Sequence, residues 1–144
     1  RRGLNLESLA VGTTQNPAIS RIFITVDGDQ RLVDQITKQL HKLPDVLIVR
    51  HLTPADHCSR ELVFVKVRCN AENRGEILQV ADIFRGHIID VSPNTLTIEL
   101  TGHASKVKAL QELLEPYGIL EIVRTGTIAI ERGELCMNVE VQNI

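Results

Sequence analysis

The chain has 144 residues, 43% of them apolar, which suits one domain or two small ones with ordinary cores. Net charge is −2 without a basic block, so wholesale phosphate neutralisation is disfavoured. With one Tyr, three Phe and no Trp it is poorly equipped for base stacking, and a small zwitterion or another protein fits better than nucleic acid.

Leu4–Val11 alternates, with Leu4, Leu6, Leu9 and Val11 apolar, and predicts a strand. Gly12–Ala18 is a turn-rich connection. Arg21–Val26 (RIFITV) is β-branched and aromatic, a second strand expected to pair with the first. Asp27-Gly28-Asp29 stops it and opens a helix, with Asp29 as N-cap. Leu32, Val33, Ile36, Gln39, Leu40 and Leu43 recur at helical spacing, and Pro44 ends the run. Val46–Val49 (VLIV) predicts a buried strand. Thr53–Arg60 reads as a connection between domains. Glu61–Cys69 predicts a strand, Ala71–Phe84 a helix, and His87–Val91 and Leu96–Leu100 an antiparallel pair across Ser92-Pro93-Asn94. Ser105–Leu114 is a second helix stopped by Glu115-Pro116-Tyr117-Gly118. Ile119–Thr125 is the last strand, with Ile128–Ile130 as its extension. Glu131–Ile144 reads as a loose tail.

The two halves repeat at a constant offset of 74. Ser20–Thr53 lies over Asn94–Thr127 without a gap: Gly28 on Gly102, Val33 on Val107, Ile36 on Leu110, Leu40 on Leu114, Ile48 on Ile122, Arg50 on Arg124. Arg2-Gly3 before Leu4–Val11 is matched by Arg85-Gly86 before His87–Val91. The second unit reads β-α-β-β-α-β, the ferredoxin-like order, which predicts an α+β chain of two such units. The first reads β-β-α-β, lacking its leading strand and most of its first helix. The sequence, which does not open on Met, is expected to begin inside its first domain.

The segments hold no phosphate-binding loop, dinucleotide fingerprint, H-E-x-x-H or G-x-S-x-G. His51, His57 and Cys58 lie close in sequence, but their spacing matches no common metal motif, so they read as polar residues of a connection. Three cysteines, Cys58, Cys69 and Cys136, without C-x-x-C argue against a disulfide framework and for a reducing cytosol. Cys69, at a strand end, reads as a small buried hydrophobe. No apolar run approaches a membrane span and no signal peptide is visible. Asp27 and Asp29 read as turn and cap residues, and Asp90 has no assigned chemistry. One stretch suggests recognition: Arg2-Gly3-Leu4-Asn5-Leu6-Glu7-Ser8. Gly3 allows positive φ where a helix ends, and Asn5 follows with both a donor and an acceptor, which suit a free amino acid. The competing reading is an Asn in a strand-edge turn.

Arg1–Gly12 (R-R-G-L-N-L-E-S-L-A-V-G) resembles the second strand, and the helix end before it, of the ACT domain in the small regulatory subunit of acetohydroxyacid synthase (acetolactate synthase). The resemblance continues through Ile19–Ile22, Gln35–Leu43, Ser59–Val67, Ile83–Ser92, Leu96–Gly102 and Glu121–Gly126, in order, over nearly the whole chain. It implies residues 1–53 as a truncated ACT domain, 54–60 as linker, 61–130 as a C-terminal ferredoxin-like domain and 131–144 as tail. It implies a non-catalytic regulator without a cofactor, which pairs through its ACT domains and binds the large subunit. That partner is expected to carry thiamine diphosphate, Mg²⁺ and FAD. The small subunit raises its activity and confers feedback inhibition by branched-chain amino acids, usually valine. Asn5 and Leu6 match the family's effector-binding Asn-aliphatic pair, while the glycine-containing effector loop after the first strand has no counterpart. No nucleic acid or membrane partner is implied, and a cytoplasmic location is expected, with a plastid one left open. The alternative is a small-molecule-sensing ACT-like module of a transcription regulator, which requires a DNA-binding segment ahead of Arg1.

Overall fold

The computed structural model describes residues 5–137. They divide into two compact units, one of residues 5–58 with 129–137 and one of residues 59–128. The chain is α+β, its strands antiparallel and its helices three in number among the described residues.

The second unit follows from its apolar periodicities. β3 (His57–Arg68) alternates, and Val63, Val65 and Val67 point into the core, at most 1% exposed. β5 (Thr95–Gly102) does the same with Leu96, Ile98 and Leu100. β4 (His87–Val91) and β6 (Ile119–Arg124) complete the order β4-β5-β3-β6. Register is pinned by core pairs such as Val65 opposite Ile98 on one side and Ile122 on the other. α2 (Arg74–Ile83) contributes Ile77 and Ala81, and α3 (Ala104–Leu114) contributes Val107, Leu110 and Leu114, all buried against that face. This is the β-α-β-β-α-β pattern expected from the sequence.

Two local details set how α2 meets β4. Arg85 holds φ 58°, a left-handed position ending the helix, and Gly86 N–H then donates to Ala81 C=O at 2.8 Å. A Cβ on Gly86 would meet Ile98 Cγ2 at 2.9 Å, so this glycine is required by close approach to β5.

In the first unit β1 (Asn5–Thr13) and β2 (Ser20–Asp27) form a two-stranded antiparallel sheet. α1 (Gln30–His41) follows, its N-cap Asp29 accepting from Leu32 N–H at 2.9 Å. Phe23 and Thr25 are half-buried, whereas Leu9, Val11, Ile22 and Ile24 are exposed and stand as cross-strand pairs, Leu9 with Ile24 and Val11 with Ile22.

One expectation is corrected. Val46–Val49 is not a strand. Its counterpart 74 residues on lies in β6, which exists by pairing with β3. The described part of the first unit offers no strand in the place of β3, so the backbone of 46–49 has no ladder to join. Within the expected linker, Pro54–Asp56 is a 3₁₀ turn and β3 starts at His57. β7 (Ile128–Glu131), at the extension expected at Ile128–Ile130, pairs with β3, and residues 132–137 of the expected tail lie with the first unit. The remainder of that tail, 138–144, and Arg2-Gly3-Leu4 lie outside the described residues. Among the described residues no helix is long and apolar enough to cross a membrane.

Candidate functional site

The residues expected to bind an effector open β1. Asn5 is its first residue, in register with Asp27, and Leu6 is in register with Val26. A register shift between Leu6 and Ser8 places a bulge at Glu7. The irregularity follows directly on the Asn-Leu pair in sequence. Leu6 is half exposed. Because β2 ends at Asp27 and α1 starts at Gln30, this register brings Asn5 to the same end of the unit as the α1 N-terminus. Asp29 already occupies that terminus as its cap, in the role expected of it.

The other residues singled out from the sequence do not converge. His51 and Cys58 are exposed, and the His57 ring is hydrogen-bonded to the Thr53 carbonyl. Among the described residues no group of three or more His, Cys, Asp or Glu is arranged to hold a metal ion. Cys69 is buried and belongs to the core, as its strand-end position suggests. Asp90 is exposed in β4, opposite Thr97. A shallow groove lies between α2 and β4, lined by Leu78, Gln79, Ala81, Asp82, Gly86 and Ile88.

Two polar arrangements were not singled out. Glu61 is only 3% exposed and its Oε1 accepts from Arg124 Nε at 2.8 Å and pairs with Arg124 Nη2 at 2.7 Å. Thr127 Oγ1 donates to the other carboxylate oxygen at 3.3 Å. Strand parity carried the signal: Glu61 shares a face with Val63, Val65 and Val67, so a charge there must find a partner. In the first unit Arg50, the repeat counterpart of Arg124, pairs instead with Glu131. Nothing in the local pattern linked those two, 81 residues apart.

Tyr117 donates to Glu76 Oε2 at 3.1 Å. That hydrogen bond, with smaller contributions from desolvation and the carboxylate's charge, raises the phenol above its usual value of 10.0. The contact ties the turn after α3 to α2 and gives no sign of a reactive group.

The fold is that of a small α+β module built as an imperfect repeat. Residues 1–48 match the family described as "AHAS small subunit-like ACT domain", and residues 60–133 match that described as "Small subunit of acetolactate synthase". A probable acetolactate synthase small subunit of Methanothermobacter thermautotrophicus is 50% identical over 138 residues, covering 95% of this chain and 82% of its own. The acetolactate synthase small subunit of Haemophilus influenzae is 47% identical over 135 residues, with 93% and 83% covered. The crystal structure of the acetolactate synthase small subunit from Thermotoga maritima is similar with a TM-score of 0.82 at 42% identity, over 94% of this chain and 84% of that one. The chain belongs to the acetolactate synthase small-subunit family.

Proposed function

We propose that this chain is a non-catalytic regulatory subunit of acetohydroxyacid synthase. It activates the catalytic subunit and confers feedback inhibition by a branched-chain amino acid, with valine as the first effector to test. It acts as a homodimer through its ACT domains, in the cytoplasm, and holds no cofactor itself. Thiamine diphosphate, Mg²⁺ and FAD belong to the catalytic partner. The observation that carries this reading is the likeness to acetolactate synthase small subunits along both units, at 50% identity to the Methanothermobacter protein over 95% of the chain. The same breadth leaves the transcription-regulator alternative without support.

Asn5 and Leu6 are proposed as effector contacts. An Asn side chain supplies both an N–H donor and a C=O acceptor, the complement of an amino acid's carboxylate and ammonium, and an aliphatic neighbour suits a branched side chain. Inhibition then requires that the effector bind one arrangement of the dimer better than another. A coupling of about 1–3 kcal/mol gives a response of roughly 5–150-fold. The test is reconstitution of the subunit with its catalytic partner, measuring acetolactate formation with and without valine. Asn5→Ala is expected to abolish inhibition and leave activation in place. Unchanged inhibition at the same valine concentration would remove Asn5 from the site. Absence of activation by the unaltered subunit would sink the regulatory reading itself.

A further inference from the structure

Residues 129–137 follow the second unit in the chain, yet they lie with the first unit. They are fixed there at three separate places. Glu131 forms an ion pair with Arg50, and its side chain is only 11% exposed. Arg132 N–H donates to the Asp56 carbonyl at 2.9 Å. Farther on, the Arg21 guanidinium donates from Nη2 to the Met137 carbonyl at 3.1 Å. The three anchors fall on β2, on the end of the irregular segment 46–50, and on the 3₁₀ turn at Pro54–Asp56.

The repeat explains why an anchor is needed at Arg50. Its counterpart Arg124 ends β6, a strand held by its ladder to β3, and pairs with Glu61 of β3 itself. Segment 46–50 has no such ladder in the described structure, and Arg50 finds no carboxylate on a neighbouring strand of that kind. Glu131 supplies the charge from the far end of the chain. We propose that residues 129–137 form a strap belonging to the first unit, with the Arg50–Glu131 pair as the lock that holds segment 46–56 in place. The strap thereby supports the strands on which effector control depends. Arg21, which grips Met137, lies on β2, and β2 is paired residue by residue with β1, where Asn5 and Leu6 stand. This second clause rests on the regulatory reading; the first does not.

Hydrogen exchange on the whole chain, compared for the wild type, Glu131→Lys, Arg50→Glu and the double charge swap, tests the strap directly. Each single variant is expected to speed exchange at residues 46–56 and 129–137 severalfold and to leave β5 and α3 unaltered, and the swap is expected to restore protection. Unchanged exchange in both single variants overturns the proposal. So does loss of protection that extends through β5 and α3, or a swap that restores nothing. In the reconstituted enzyme, Glu131→Lys is expected to raise the valine needed for half-inhibition severalfold with activation retained, and the swap to reverse it. Faster exchange with unaltered inhibition overturns the link to control. Failure of the wild-type subunit to activate counts against the regulatory reading and leaves the exchange result standing.

Discussion

Glu61 is the buried charged side chain of the second unit, and its two partners differ in what their loss exposes. Arg124 retains 46% exposure, so without Glu61 its guanidinium turns to water. Glu61 has no such exit, and removal of Arg124 leaves a carboxylate among β-strand valines with only Thr127 to answer it. Arg124→Ala is therefore expected to cost about 3–5 kcal/mol of stability. Glu61→Ala is expected to cost less, about 1–3 kcal/mol, because the group left behind can be solvated. Urea denaturation of the two variants checks the order, and a larger loss for Glu61→Ala would refute the asymmetry. The pair was half legible beforehand. The alternation Glu61, Val63, Val65, Val67 places a carboxylate on the core face, but only the register of β3 against β6 says which cation meets it, and register is not written in either strand alone.

The helices α1 and α3 occupy equivalent places in the repeat and start differently. Asp29 caps α1 through Leu32 N–H, whereas His103, its counterpart, makes no capping bond to α3, and α3 has no acidic residue in its first turn. Asp29→Ala is expected to destabilise α1 by about 1 kcal/mol. His103→Asp is expected to stabilise α3, by roughly 0.5–1 kcal/mol, through a cap and a charge at the positive end of the helix. Amide exchange in the first turns of the two helices reads both effects, and slower exchange in α1 after Asp29→Ala would contradict the argument. Elements with their own periodicity or cap were readable in the sequence. The segment Val46–Val49 has strand composition, but a strand is a pairing, and the apolar run could not show whether a partner was at hand. Residues 131–137 escaped for the opposite reason, since their place is set by Arg21, Arg50 and Asp56, all distant in sequence.

At the scale of the molecule, the repeat allows the same positions to be compared in two surroundings. Val107, Leu110 and Leu114 of α3 are at most 2% exposed, and their counterparts Val33, Ile36 and Leu40 in α1 are only half-buried, with no fully buried residue in that helix. The sequence supplies similar aliphatic faces to both helices. What differs is the layer beneath: four strands and a second helix in one unit, the two-stranded sheet of β1 and β2 in the described part of the other. Burial, and with it the energy of each methylene, is set by that layer and not by the helix's own pattern. Leu114→Ala is expected to cost about 2–5 kcal/mol, since it opens a cavity in a close-packed core. Leu40→Ala, at the equivalent position, is expected to cost about 1 kcal/mol, because solvent already reaches the site. Exchange protection resolved by segment separates the two, with β3, β5 and α3 responding to the first change and α1 to the second. Equal losses would mean that the first unit is as tightly packed as the second. A large difference would identify the first unit as the one whose order responds most to whatever binds it, because a ligand or partner stabilises most visibly the part that is least stable without it.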